Sequence, residues 1–357
     1  MTEMATRELT VARDVLHATV VTIGSALGMP EADARILAES LVEADLRGVH
    51  THGVAALTGY ARRLRGGGVN PTPRVRVTHT RGAITIVDAD HGLGQIGSQF
   101  AMERAIEAAR ASGIGSAAVR NSSHFGAAAF YAAMALPHDM IGFATTSAGN
   151  RIAPIGGRTP VVGNNPFAWA IPAATERPII LDMAQSVVAA GKIGMAARKG
   201  EKIPFGWAMD GQGRPTDDPL AGAAGLLVPI GGPKGFGLAL IVDILCGALS
   251  GAALGRELAK PHQPDTPSQI GHFFMAIDVA SFTDVASFKA RVDGMIRQVH
   301  ESEPASPGTP LYVPGEIEWR LRERRVSDGI PLLKSIVADL KALADELGLG
   351  ASIATAT

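Results

Sequence analysis

Thiol chemistry is almost missing from this sequence of 357 residues. Its one cysteine, Cys246, cannot form an intramolecular disulfide and leaves a cysteine-based metal site without ligands. Cys246 lies in the apolar run "LIVDILCGALSG" and reads as a small buried hydrophobe rather than a nucleophile. Net charge is equally scarce: 33 Lys and Arg face 34 Asp and Glu, a formal −1, and no block of like charges is longer than the short "RERR" at 322–325. No nucleic-acid partner is expected. The opening "MTEMATRELT" is polar and has no signal-peptide core. A single stretch, "FGLALIVDILCGALSGAAL" (236–254), has the length of a membrane span, but Asp243 falls near its middle. A central acid costs about 2.5–3.5 kcal/mol in a bilayer, so the stretch reads as a helix buried in protein. No membrane partner is expected, and the location expected is the cytoplasm.

What is present is core material: 46% hydrophobic residues, 42 glycines and only 19% charged residues, too little charge for a disordered chain. The first 65 residues read as helical, with "LTVARDVLHATVVTIGSALG" ending at Gly28 and "PEADARILAESLVEADLRG" opening on Pro30 and acidic residues. "GGGVNPTP" (66–73) breaks the chain. Strand-like runs follow at "AITIVDAD", "GIGSAAVR", "IGFATTSA", "PIILDMA" and "GHFFMAIDVASF", with a helix-like "SQFAMERAIEAARAS" between the first two. The tail reads as polar helix from about 316 to 347. The outline is a mixed α/β core flanked by helices from both chain ends.

Gly92, Gly94 and Gly97 in "VDADHGLGQIG" match G-x-G-x-x-G, a dinucleotide-binding spacing whose context decides its meaning. A strand precedes it and a helix follows. Yet Asp88 and Asp90 intervene, and two carboxylates repel a pyrophosphate. The acid expected about 20 residues further on is also absent. The favoured reading is a tight turn.

Two histidine clusters suit proton transfer near neutral pH: "GVHTHGV", with His50, Thr51 and His52, and "RNSSHFG", with His124 in a polar loop after a strand. A metal site from His50, His52 and His124 would need a carboxylate ligand that the spacing does not supply. "PIILDMAQS" ends a buried strand in Asp182, where a polar ligand is commonly held. "PIGGPKGFGLAL" opens a helix with glycines around Lys234, so free N–H groups beside a cation would make an anion site. It is not a P-loop, because glycine follows the lysine. These residues support an enzyme with a histidine acid/base and an anionic cofactor, and leave the reaction open.

At these same stretches the chain resembles the malate/L-lactate dehydrogenase-like family of NAD(P)-dependent oxidoreductases, which includes ureidoglycolate, sulfolactate and 2,3-diketogulonate enzymes and piperideine-2-carboxylate reductase. The matches run in order over nearly the whole chain: "EADLRGVHTHGV", "GLGQIG", "NSSHFGAAAFYA", "GNNPFAWAIP", "LDMAQSVVAAGKI", "WAMDGQGRPTDDP", "LVPIGGPKGFGLALIVDILCGALSG", "IGHFFMAID" and "YVPGEIE". The resemblance implies a mixed-sheet, non-Rossmann cofactor core over 76–299. It also implies a helical substrate and dimerisation domain from 1–75 and 300–357, and a homodimer. The cofactor implied is NAD or NADP, and the partner a small 2-oxo acid, 2-hydroxy acid or cyclic imine.

By resemblance His52 is the proton donor and Thr51 its relay, while His124 matches the acid/base of the ureidoglycolate branch and adjoins the cofactor. Asp182, Met183, Ala184, Lys234, Arg291 and Glu316 match cofactor-contacting positions, and Ala148 stands where members often have a serine. Among positions matching the substrate site, this sequence departs at three: Ala56 replaces an arginine that grips a carboxylate, Asn164 replaces a threonine, and Ala190, before Gly191, replaces Arg or His. Alanine has no equivalent of a bidentate guanidinium. Either the substrate lacks that carboxylate, another cation such as Arg47 or Arg62 takes over, or the chain binds cofactor with altered or lost catalysis.

Overall fold

A computed structural model describes residues 8–258 and 263–350; of the domain ranges expected above, residues 1–7, 259–262 and 351–357 lie outside it. The main sheet has seven strands. In chain order they are β2 (Arg76–Arg81), β3 (Ile84–Asp88), β4 (Ile114–Ser122), β5 (Met140–Thr146), β6 (Phe167–Ile171), β7 (Ile179–Met183) and β11 (Ile270–Asp278), and across the sheet the order is β2-β3-β4-β11-β5-β6-β7. Only β3 and β4 run parallel; the other neighbours are antiparallel. A doubly wound nucleotide fold is mostly parallel, so this is a different architecture, as expected.

The parallel pair needs a crossover, and α4 (Gly94–Ser112) supplies it. Its Ala101, Met102, Ala105, Ile106 and Ala109 repeat at helical spacing and are buried with Val119 of β4 and Phe274 of β11. A small sheet of β8 (Ala208–Met209), β9 (Pro215–Thr216) and β10 (Leu226–Leu227) accompanies α6 (Ala190–Lys199), α7 (Pro219–Ala224) and α8 (Pro233–Asp243) around a separate core that includes Val162, Ile193 and Leu227.

The two chain ends meet. Helices α1 (Arg13–Ala26), α2 (Glu31–Leu46), α3 (Leu57–Gly66) and α11 (Lys334–Glu346) share a core of Leu16, Val20, Ile23, Leu41, Leu57, Val337 and Leu340. A two-stranded ribbon, β1 (Glu8–Val11) with β12 (Ile330–Leu333), ties them, in register from Glu8↔Leu333 to Val11↔Ile330. Both strands correct the sequence reading, which put helix at residues 9–11 and placed no strand in the polar helical tail from about 316 to 347. The pairing spans almost the whole chain, so no local periodicity announces it. The tail is instead α10 (Glu316–Asp328), β12 and α11; α5 (Ala128–Ala133) and α9 (Val285–His300) complete the helices named here.

The apolar stretch 236–254 also differs from expectation. It is α8 followed by a π-helical turn, Ile244–Ala248, and only one face is covered. Gly235, Ala239, Val242, Asp243 and Cys246 lie inward, whereas Leu238, Leu240, Ile241, Ile244 and Leu249 are exposed. Asp243 is satisfied within the protein by Asn165 Nδ2 (3.1 Å) and the Gly255 N–H (2.9 Å). No helix among the described residues is long and apolar enough to cross a membrane.

Candidate active site

The three-glycine turn serves the loop that carries His124. Gly92, Gly94 and Gly97 are all buried. A Cβ on Gly94 would come within 2.3 Å of the Ser123 carbonyl oxygen, one on Gly97 within 2.8 Å of Ala89, and one on Gly92 within 2.6 Å of Pro73. The glycines therefore admit protein, not a pyrophosphate. Ser123 Oγ stitches the turn by donating to the Gly92 carbonyl (3.0 Å) and accepting the Gly94 N–H (3.1 Å). Asp88 accepts from Asn121 and the Asp90 N–H, and Asp90 from Asn70 and the Arg74 N–H, so both acids hold turns together. Below the loop, buried His272 is bonded at both nitrogens, to Thr146 Oγ1 (2.7 Å) and Ser122 Oγ (2.8 Å), and stacks on Phe125.

The second histidine cluster follows α2 as a 3₁₀ turn, His50–His52. Asp45, buried at the end of α2, organises it. Its carboxylate accepts from His50 Nδ1 (2.7 Å) and the Val54 N–H (2.8 Å), while Arg325 lies 3.2 Å from His50 Nε2. His50 is thus committed to the protein, and the described residues contain no cluster of three or more His, Cys, Asp or Glu able to hold a metal.

His52 turns the other way. Its Nδ1 lies 2.9 Å from Thr51 Oγ1, and its ring stacks on His124 with centroids 5.6 Å apart. The structure therefore brings the two predicted histidines together. It adds Tyr60, whose hydroxyl is 2.6 Å from His124 Nδ1, and Gln95, whose Nε2 donates to Tyr60 at 3.0 Å. Among the described residues neither His52 Nε2 nor His124 Nε2 has a hydrogen-bond partner.

Solvent reaches the His124 side chain, yet protein surrounds it closely; a side chain with both properties lines a concave wall. That crowding, with His52 beside it, pushes the His124 pKa down to about 3. Burial also lowers His52 and raises Tyr60 far above the usual phenol range.

The expected cofactor positions form an adjoining wall. Asp182 and Met183 close β7, an edge strand rather than the buried one expected, and the Asp182 side chain is exposed. Its carboxylate accepts the Ala129 N–H (2.8 Å) at the start of α5, the helix that follows the His124 loop. Crowding by protein, then Glu318, pushes Asp182 up to about 6 against the pull of Ala129 and Arg47.

Past Ala184, the Gln185 N–H donates to the Asn164 carbonyl (2.7 Å), and the Gln185 carbonyl accepts the Ile230 N–H (2.9 Å) just before α8. Asn165 Oδ1 accepts the Ala148 N–H (2.8 Å), and its Nδ2 donates to the Ala239 carbonyl. Ala148, Asn164, the 182–184 stretch and the start of α8 are consequently one surface. Lys234 projects from it, exposed and without an ion pair among the described residues. The helix-start amides are not free, contrary to expectation. Left-handed Gly231 and Gly232 fold the chain back, so the Gly235 N–H donates to Ile230 and the Lys234 N–H to Gly231. That leaves the Lys234 ammonium as the group at this helix start able to meet an anion. An unpaired cation and an exposed carboxylate on one wall fit a ligand carrying both phosphate and ribose hydroxyls.

Gly191, on the first turn of α6, joins this wall to the histidines: its Cβ would stand 2.8 Å from Thr51 Cγ2. Ala190 beside it is exposed, and Ala56 packs partly into the terminal-helix core. Arg291 is exposed on α9 with no contact to the histidine pair. Glu316 is buried, its carboxylate taken by His300 (2.7 Å), Arg320 (2.6 Å) and the Val313 N–H (3.3 Å).

Of the two candidate substitute cations, Arg62 is exposed on α3, and Arg47 is bonded to Glu43 (2.7 Å) and lies over Trp319 (4.1 Å). Arg47, Arg322 and Trp319 line a cavity of about 420 Å3 between α1, α2, α5 and α10, to which neither His52 nor His124 contributes. Sequence reasoning missed Tyr60, Gln95, Asp45 and His272. Tyr60 follows the buried spacing of Leu57, Ala61 and Leu64, so by pattern it was one more core residue.

A profile of the malate/L-lactate dehydrogenase family matches residues 11–341. A malate dehydrogenase of Pyrococcus abyssi is 39% identical over 348 residues, 94% of each chain. The solved structure of the Methanocaldococcus jannaschii sulfolactate dehydrogenase superposes with a TM-score of 0.88 at 37% identity, covering 96% of this chain and 98% of that one. The (2R)-3-sulfolactate dehydrogenase (NADP(+)) of Chromohalobacter salexigens is 34% identical over 321 residues, 89% of this chain and 93% of its own. With a matching profile, relatives of full length and a shared fold, the chain belongs to the malate/L-lactate dehydrogenase family.

Proposed function

We propose that this dehydrogenase moves a hydride between a nicotinamide cofactor, NAD or NADP, and the C=O or C=N carbon of a small 2-oxo acid, 2-hydroxy acid or cyclic imine. The nicotinamide supplies or accepts the hydride when bound. His52 Nε2 gives the accompanying proton to the substrate heteroatom in reduction and takes it back in oxidation, with Thr51 orienting the ring through Nδ1. Lys234 meets the cofactor's phosphate charge, Asp182 a ribose hydroxyl, and Met183, Ala184 and Ala148 line the surface between. Gly191, Ala190, Asn164 and Ala56 border the substrate. With alanine at positions 56 and 190, we expect a substrate profile shifted from that of members bearing those basic side chains.

One observation carries this reading: two imidazoles contributed by distant segments stack on each other, each with an Nε2 that has no hydrogen-bond partner among the described residues. Cofactor binding without turnover rested on Ala56 alone, and nothing in the site favours it. The test is reduced-nicotinamide absorbance with a panel of 2-oxo acids and cyclic imines, alongside His52→Asn. Turnover that falls at least about 100-fold in the variant supports the assignment. Unchanged turnover in the variant overturns it.

The enzyme is further proposed to act in the cytoplasm as a homodimer, with a terminal helical unit set against the 76–299 core. The exposed apolar face of Leu238, Leu240, Ile241, Ile244 and Leu249 supports self-association, because such a contiguous face is unusual on a monomer.

A further inference from the structure

We propose that Tyr60, backed by Gln95, holds His124 as a neutral imidazole with its proton on Nε2. His124 then serves as a fixed hydrogen-bond donor to the substrate heteroatom while His52 exchanges the proton. The division of roles rests on the oxidoreductase reading above; the tautomer does not.

A tyrosine hydroxyl has one proton. The Tyr60 hydroxyl has two polar neighbours, Gln95 Nε2 at 3.0 Å and His124 Nδ1 at 2.6 Å. The Gln95 amide nitrogen donates, so the Tyr60 oxygen is its acceptor and the phenolic proton goes to the imidazole. A ring nitrogen that accepts a hydrogen bond carries no proton. The remaining proton of His124 is therefore on Nε2, the atom with no protein partner.

Both residues that form this lock on His124 are held in the interior. Tyr60 and Gln95 are buried. Gln95 sits in the first turn of α4, where buried Gly94 lets the Ser123–His124 backbone close down on the helix. Burial keeps Tyr60 protonated at any working pH. The neighbouring His52 opposes a second proton on His124, because two stacked imidazolium ions repel.

His52 has no comparable lock. Its Nδ1 partner is the Thr51 hydroxyl, which is exposed and has no other hydrogen bond among the described residues, so it can either donate or accept. A histidine that must change protonation needs such a partner. One that must stay neutral while polarising a carbonyl needs the opposite, a partner able only to donate. The pair combines both.

The experiment uses the full-length protein with 15N-labelled histidine. Long-range 1H–15N spectra distinguish Nδ1–H, Nε2–H and imidazolium forms, and His124→Asn identifies the His124 signals by their loss. The expected wild-type result is the Nε2–H pattern across neutral pH. In Tyr60→Phe, which keeps the ring and removes the donor, the pattern should collapse to a tautomer mixture. Turnover should fall roughly 10–100-fold, the size typical of losing a partner that orients a working histidine, with cofactor KM unchanged.

Gln95→Met provides a second route to the same loss, since it frees Tyr60 to accept. An Nδ1–H or imidazolium His124 in the wild type overturns the proposal, as does an unchanged tautomer in Tyr60→Phe that melts like the wild type. The spectrum is read without substrate. A protein that shows the Nε2–H pattern but reduces nothing on the panel therefore defeats the oxidoreductase reading alone.

Discussion

Substituting Gly191 by alanine separates catalytic geometry from stability at the point where the proposed cofactor wall touches the histidine segment. The new Cβ would stand 2.8 Å from Thr51 Cγ2 and 3.2 Å from Thr51 Cβ. Carbon atoms settle about 3.5–4.0 Å apart, so Thr51 must retreat by roughly 0.7 Å or more. Thr51 is exposed in a short 3₁₀ turn and can yield. Alanine also favours helix over glycine by up to about 1 kcal/mol, so the melting temperature should change little. The 2.9 Å contact between Thr51 Oγ1 and His52 Nδ1 has no such tolerance.

Displacing a reacting group by about 1 Å costs up to about 10²-fold in rate, so a drop of roughly 10–100-fold in kcat, about 1–3 kcal/mol, is expected. The offending atom is the threonine methyl, which serine lacks while keeping the hydroxyl. Thr51→Ser in the Gly191→Ala background should recover most of the rate, giving a coupling of about 1–2 kcal/mol in a double-mutant cycle. Initial rates by nicotinamide absorbance and melts by circular dichroism read both quantities. Full activity in Gly191→Ala, or a double variant as slow as the single, refutes the argument that Thr51 places His52.

Lys234→Ala removes an exposed cation that has no ion pair among the described residues, so the fold should melt unchanged while cofactor affinity, measured by calorimetry, weakens about tenfold or more. Equal affinity would remove Lys234 from the cofactor site. His272 is fully buried and held down to about 3, whereas in the unfolded chain its pKa is about 6.5. The unfolded state binds the proton first on acidification, so stability is intact above about pH 6.5 and erodes by about 1.4 kcal/mol per pH unit below it, about 3 kcal/mol by pH 4.5. Asp182, raised to about 6, works the other way and gains stability as pH falls through that value. Urea unfolding across pH should show a shallower acid slope in His272→Gln; an identical slope would contradict the buried neutral ring. Ile241→Glu puts a charge into the exposed apolar face of α8 and should raise the dissociation constant of the proposed dimer at least about 30-fold. An unchanged sedimentation profile would move the interface elsewhere.

Much of the site could be read in the chain because its parts are local. His124 follows a strand and His52 follows a helix, and the glycine turn betrayed itself through Asp88 and Asp90, which proved to be bound up in backbone turns. The helix-start amides of α8 misled because glycine spacing does not reveal whether left-handed residues will fold the chain back onto those donors. Tyr60 escaped notice for a related reason. Its spacing is that of a core residue, and only the closure of α3 onto the β4 loop turns its hydroxyl into a partner for His124.

Periodicity, breakers and local motifs in the chain by themselves determined most elements, the two histidine clusters and the lysine at a helix start, because backbone sterics and burial of one face act over a few residues; the departure at Ala56 was legible only through the family resemblance. The tertiary structure alone decided that β11, from late in the chain, lies between β4 and β5, that β1 pairs with β12, that α8 leaves one apolar face open, and that His52 stacks on His124. Those outcomes depend on which distant surfaces fit against one another. That fit is set by the whole packed chain and leaves no repeat in any one segment of it.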